Sequence, residues 1–234
     1  MNENNVSKRI PLNTVRRTIA ERLSKSKQSI PHFYAVAEVD ATNLVEARAN
    51  FVNEKNIKIS YDDFIIKATA LSMKEFPLIN ARFRETEIEL LEHINIGFAV
   101  ALGEEGVVVP VIRDADKKAI TQIFEERISL VEKARNRKLR VEDISDRSIT
   151  VNNVGVFGVR SILAIINPPE VAIVTCGAIQ DRVVVVNGEV RIRKMMDITL
   201  SADHRVIDGA YGSKFLMKIK EFLESPDLLV SREE

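Results

Sequence analysis

Arg182-Val-Val-Val-Val-Asn-Gly-Glu-Val-Arg-Ile-Arg-Lys194 leads through Met195-Met-Asp-Ile-Thr-Leu200 into Ser201-Ala-Asp-His-Arg-Val-Ile-Asp-Gly209. Asn187-Gly188 suits the two positive-φ positions of a tight hairpin turn, so Arg182–Val186 and Glu189–Lys194 read as paired strands. Met196–Leu200 reads as a further strand, and Val171–Cys176 as one more upstream. The strands end at a turn that holds His204 and Asp208, four residues apart, with Asp203 and Arg205 of opposite charge to fix it. An apolar-periodic segment from Gly209 to about Glu224 follows as a helix. Strands in succession, then a separate helix, give an α+β layer rather than alternating βαβ units. Histidine is the side chain able to take and return protons near neutrality, which makes His204 the first candidate for chemistry.

Working outward, Asn13 or Thr14 caps a helix to about Gln28, with Val15, Ile19, Ala20 and Leu23 at helical spacing. Pro31 precedes a strand, His32–Asp40, and Ala41–Asn56 reads as a second helix. Ser60 and Asp63 form a capping box opening a third, which stops before Pro77. Ala81–Arg84 and Glu87–Leu90 are short strands. The apolar runs His93–Leu102 and Val107–Arg113 flank the hairpin-length turn Gly103–Gly106, and His93 is expected to do structural polar work. Thr121–Asn136 is a fourth helix and Arg147–Asn153 a strand, while a strand at Ile162–Ile166 is stopped by Asn167-Pro-Pro169. The expected architecture is a mixed, mostly antiparallel sheet flanked by helices. Residues 1–10 read as a linker remnant or N-terminal arm, and 11–234 as one core domain.

Composition narrows the function classes. Lysine plus arginine and aspartate plus glutamate stand at 34 each, giving no case for a nucleic-acid or anionic-membrane partner. No apolar run reaches the ~18 residues of a membrane span, and no signal peptide opens the chain. The lone cysteine, Cys176, lies in an apolar run; it reads as a small hydrophobe in a reducing compartment. No cysteine–histidine cluster suggests a metal. A Ser/His/Asp hydrolase is disfavoured, because no Gly-x-Ser-x-Gly elbow occurs.

Eight strings in order resemble the catalytic core of the dihydrolipoyl acyltransferases of 2-oxo acid dehydrogenase complexes, a family sharing its fold with chloramphenicol acetyltransferase. They are Pro11–Arg22, Ile30–Phe33, Lys67–Leu71, Phe76–Asn80, Asn95–Ala99, Val109–Arg113, Ala164–Pro169 and Leu200–Gly209. The resemblance implies transfer of an acyl group between a dihydrolipoyl thiol and coenzyme A, with His204 as the base. Asp208 is its acidic partner, either orienting the site or, as favoured here, pairing with an early arginine such as Arg16 to brace the turn. Thr150-Val-Asn-Asn-Val-Gly155 departs from the family's Thr-aliphatic-Ser-Asn-aliphatic-Gly string, and puts Asn152 where a serine hydroxyl donates to the oxyanion. Asp146-Arg147 replaces the usual Gly-Gly pair. Arg48, Ser60, Asn152 and Asn153 match coenzyme A contacts. The resemblance also implies a homotrimer with its active site between subunits, built into a hollow cage that carries dehydrogenase and dihydrolipoyl dehydrogenase components. Such a core is cytoplasmic, or lies in the mitochondrial matrix of a eukaryote. With no lipoyl domain in view, the chain is expected to be a truncated core. The alternative is a mainly scaffolding core with weak catalysis.

Overall fold

The two strands expected at Glu189–Lys194 and Met196–Leu200 are one. In the computed structural model, which describes residues 7–103 and 106–230, β11 (Glu189–Asp203) runs unbroken for 15 residues. No glycine or proline interrupts it, and each half has its own partners. Its first half pairs with β10 (Gln180–Val186) through the Asn187-Gly188 turn, where both residues have positive φ. Its second half lies between β1 (His32–Asp40) and β9 (Ala172–Cys176), antiparallel to both. The sheet continues through β8 (Ile149–Asn153) and β4 (Ile96–Phe98), both parallel additions, to β7 (Val111–Ile112), which is antiparallel. The sheet is thus mixed and the class α+β, as expected from the sequence.

Helix α2 (Thr42–Lys55) packs on β11, and α5 (Gly209–Glu224) packs on β1 and on α3 (Tyr61–Glu75). Every residue of α3 from Asp63 to Met73 is buried, because the sheet, α5 and α4 (Ile120–Arg135) enclose it. Two charges in that stretch are satisfied. Lys67 donates to the Asp116 carbonyl at 3.0 Å, and Asp63 accepts a two-pronged contact from Arg127 of α4 at 2.6 and 3.0 Å. Asp63 also accepts from the Ser60 backbone N–H at 2.8 Å, closing the expected capping box.

Two further expectations need correction. Ile162–Ile166 is not a strand, because its backbone is taken by side chains instead of a ladder. Thr199 and Ser26 donate to the Ile162 and Ile166 carbonyls at 2.7 and 2.6 Å, and the Ile166 N–H donates to His32 Nε2 at 3.1 Å. That last bond requires Nε2 to accept, so the His32 ring carries its proton on Nδ1, which faces the Ile30 carbonyl at 2.9 Å. Helix α1 (Thr14–Ser29) is present as expected, with Asn13 as its N-cap. Ile19 and Leu23 stay exposed, and the helix is moored near its end by Ser26. Second, the 93–113 hairpin is interrupted. β4 and β7 join the main sheet, whereas β5 (Val100–Ala101) and β6 (Val107–Val108) form a separate ribbon. Part of its tip, residues 104–105, lies outside the described residues, as do residues 1–6 of the expected arm. β2 (Ala81–Arg84) and β3 (Glu87–Leu90) form the expected small hairpin. His93 does polar work, facing Asp114 at 2.8 Å; Lys117 and His93 together hold the Asp114 carboxyl down to about 2.

Beneath β8 lies an ion pair made by Arg147, one of the two residues that stand where the resemblance implies Gly-Gly. Arg147 reaches back over Gly97 and donates to Glu170 at 2.8 Å, and Glu170 also accepts from the Thr150 hydroxyl at 2.6 Å. Burial pushes the Glu170 carboxyl up; the Arg147 charge and the Thr150, Arg147 and Asn167 hydrogen bonds oppose that. Removing Arg147 leaves an uncompensated buried carboxylate. Arg147→Ala is therefore expected to lower unfolding free energy by about 3–5 kcal/mol near neutrality in chemical denaturation. With the folded Glu170 pKa then above its unfolded value, the penalty is full at high pH and shrinks as acid protonates the group. Adding Glu170→Gln should recover much of the loss; equal losses in the single and double variants would contradict this account.

Candidate active site

β11 ends at Asp203, and the chain turns there. The Asp203 side chain is buried and accepts from the Arg205 backbone N–H at 3.0 Å and from its guanidinium at 2.9 and 2.7 Å. The same guanidinium lies 4.0 Å from the Phe83 ring centroid. The turn expected from the opposite charges at 203 and 205 is thus present. His204, held between them, donates its backbone N–H to the Pro31 carbonyl at 3.0 Å. Its ring is exposed and packs edge-on to Phe33, with centroids 5.1 Å apart. Neither ring nitrogen has a hydrogen-bond partner among the described residues, so both are open to a ligand.

Asp208 does not pair with Arg16 within the chain. It is the N-cap of α5, its carboxylate accepting from the Tyr211 N–H at 2.7 Å. Asp208 is fixed at the start of α5, while Arg16 sits on α1 and lines a cavity that Asn152 also lines.

That cavity, about 590 Å³, is walled mainly by apolar groups of α1, β6, β9 and the Ala164–Ile165 segment, with Thr150, Asn152 and Asn167 among its polar groups. A second cavity of about 280 Å³ also borders Asn152 and is lined by Asp62, Ile66, Phe98 and Phe157 among others. Asn152 borders both, and its side-chain amide has no hydrogen-bond partner among the described residues. An unengaged N–H₂ donor between two cavities has the chemistry required of an oxyanion donor.

His204 and Asn152 are not brought together. Asn152 is level with Thr175, which is level with Thr199 on β11, five positions before His204. At strand dimensions that offset is roughly 15 Å along the sheet and about 10 Å across it. Each half therefore lacks the other within one chain.

The remaining expected residues group near the start of α3. Arg48 donates to the Ile59 carbonyl at 3.0 Å and lies over the Tyr61 ring at 5.1 Å, leaving its terminal nitrogens unengaged. Ser60 caps α3 and is half-buried. Asn153 turns away from Asn152 and donates to Asp62 at 2.6 Å. Asp62 was not singled out in the sequence. The available signal was that Asp62-Asp63 supplies two carboxylates where a capping box uses one. Cys176 is buried, which raises its thiol pKa far above the ordinary value, with Asp62 adding to the effect; it is no nucleophile. Among the described residues no histidine, cysteine and carboxylate cluster suits a metal ion, and no helix is long and apolar enough to cross a membrane.

Residues 4–231 match the family model for 2-oxoacid dehydrogenases acyltransferase (catalytic domain). A dihydrolipoyllysine-residue acetyltransferase component of pyruvate dehydrogenase complex from Rickettsia bellii is 42% identical over 224 residues, covering 94% of this chain and 53% of that protein. The chain thus spans about half the length of the curated relatives it matches. Among solved structures, a probable dihydrolipoamide acetyltransferase from Listeria monocytogenes superposes with a TM-score of 0.89 at 40% identity, covering 94% of this chain and 95% of that one. The cubic core of the pyruvate dehydrogenase multienzyme complex gives 0.90 at 28% identity, covering 95% and 93%. Chloramphenicol acetyltransferase gives 0.54 at 15% identity over 87% and 94%, a likeness of fold alone. The fold expected from the sequence is therefore the observed one, and the chain belongs to the catalytic-domain family of the 2-oxoacid dehydrogenase acyltransferases.

Proposed function

We propose that this chain is the acyl-transfer core of a 2-oxo acid dehydrogenase complex, moving an acyl group between a dihydrolipoyl thiol and coenzyme A. The names of its relatives favour acetyl. The observation that carries the reading is the separation of two unengaged groups, the His204 ring just after β11 and the Asn152 amide two strands away on β8. A neighbouring copy completes each half. The surface supports such an assembly: Val183, Val185, Val190 and Ile192 form an apolar face on the β10–β11 ribbon, each about 70% exposed in the single chain. A homotrimer, further assembled into a hollow cage with dehydrogenase and dihydrolipoyl dehydrogenase components, is the arrangement we infer. Residues 11–234 then form the core domain and 1–10 its arm, with the lipoyl group supplied from outside this stretch. Its setting is the cytoplasm, or the matrix in a eukaryote.

His204 takes the proton of the coenzyme A thiol as its sulfur attacks the carbonyl of the acyl-dihydrolipoyl thioester. A carbon–sulfur bond forms, and the oxyanion accepts a hydrogen bond from Asn152. Collapse breaks the bond to the lipoyl sulfur, and the imidazolium returns its proton to that leaving thiolate. The reaction is a thioester exchange with no net redox change. Arg48 and the Ser60 end of α3 receive the phosphates, and Asn153 steadies the wall behind Asn152. Asp208 acts mainly by fixing the turn that carries His204.

His204→Ala should reduce transfer from acetyl-coenzyme A to dihydrolipoamide by about 10²–10⁴-fold. Asn152→Ala should cost about 10²–10³-fold in kcat, while Asn152→Ser keeps or raises it. A loss under tenfold in the histidine variant would rule out its role as base. If Asn152→Ala turns over normally, the oxyanion donor lies elsewhere.

Asparagine caps helices about as well as aspartate, so Asp208→Asn should hold its denaturation midpoint, whereas Asp208→Ala loses about 1 kcal/mol. Full stability of Asp208→Asn with abolished turnover would instead give the carboxylate a direct electrostatic role.

A further inference from the structure

The smaller cavity beside Asn152 has one acidic group in its wall, and only half of that group is used within the chain. Asp62 Oδ1 accepts from Asn153 Nδ2 at 2.6 Å. The Asn153 amide cannot flip without loss, because its own oxygen accepts from the Gly155 N–H at 2.8 Å. Asp62 lines the cavity, and its second carboxyl oxygen has no hydrogen-bond partner among the described residues. Around it the wall is largely apolar, formed by Ile66, Phe98, Val107 and Phe157. In such surroundings an acceptor gains most from an N–H supplied by a ligand, and loses most when faced with a second acceptor.

We propose that Asp62 is a specificity-determining residue of this cavity, its free carboxyl oxygen accepting a hydrogen bond from an amide N–H of the arm that carries the incoming thiol. Burial raises the Asp62 carboxyl above its ordinary value, against the Asn153 hydrogen bond and the Arg127 charge.

Both thiol substrates of the proposed reaction contain an amide, so the inference rests on that reading and must choose between them. Asp62 is two residues from Ser60 and adjoins Tyr61, on which Arg48 stacks. Phosphates held by Arg48 and the start of α3 leave the amide-bearing arm of coenzyme A to pass Asp62 on its way to Asn152. A lipoyl-lysine arm has no phosphate to place there. The arm at Asp62 is therefore that of coenzyme A.

Asp62→Asn tests this with little disturbance, since it keeps the oxygen that Asn153 needs and replaces the free acceptor with a donor. In the assembled protein, its KM for coenzyme A and its dissociation constant for coenzyme A by calorimetry should both rise about tenfold, the worth of one lost hydrogen bond. Pantetheine, which keeps the amides and lacks the phosphates, should show the same rise in KM. The KM for dihydrolipoamide should stay within about twofold of the starting protein. Unchanged coenzyme A affinity in an Asp62→Asn protein of normal melting temperature would overturn the proposal. So would a rise confined to dihydrolipoamide, or a fall in kcat with both affinities intact. A starting protein that binds coenzyme A but transfers nothing would count against the proposed reaction and leave the binding comparison decisive for Asp62.

Discussion

The continuity of β11 governs the molecule. One uninterrupted strand pairs with β10 at its start and is enclosed by β1 and β9 at its end, so it carries both the exposed ribbon and the turn at His204. Because the ladder fixes register, the ribbon and the turn cannot move independently. The buried Asp203 terminates the strand and at once binds the arginine two residues on, which sets where His204 projects. Its position is thus a consequence of sheet geometry and one short ion pair.

The parts legible in the sequence are those that local rules determine. β1 and α5 begin and end where periodicity, Pro31 and the Asp208-Gly209 step place them. The hairpin at Asn187-Gly188 follows from two residues that tolerate positive φ. What the sequence hid depends on partners far along the chain. Ile162–Ile166 has the composition of a strand, yet Ser26, His32 and Thr199 claim its backbone. The α1 stripe has the spacing of a core helix, but Ile19 and Leu23 face a cavity. Amphipathic spacing states that a face is apolar and leaves open what covers it.

The site divides the same way. His204 and Asn152 stand out as candidates because each sits in a dense local string, whereas Asp62 and Glu170 stand out only through contacts 91 and 20 residues distant. Arg147 shows how far a local departure reaches. The chain lays an arginine over Gly97, and the arginine meets a carboxylate that would otherwise be buried without a counter-charge. Thr150, two residues before Asn152, is held by that pair.

Two carboxylates consequently flank the strand that carries Asn152, and they are treated differently. Glu170 is surrounded by Arg147, Thr150 and Asn167, which use both its oxygens. Asp62 has Asn153 on one oxygen and a cavity at the other. A fully engaged buried carboxylate stiffens the strand; a half-engaged one is costly to the empty fold and becomes favourable once a donor arrives. Glu170 therefore belongs to the rigidity of β8, and Asp62 to what β8 recognises. A stiff strand with a selective wall can hold one donor, Asn152, at a fixed place between two cavities. On the proposed reading the proton carrier, His204 just past the end of β11, then comes from another copy of the chain. On the proposed reading, assembly is the condition under which the chemistry exists at all.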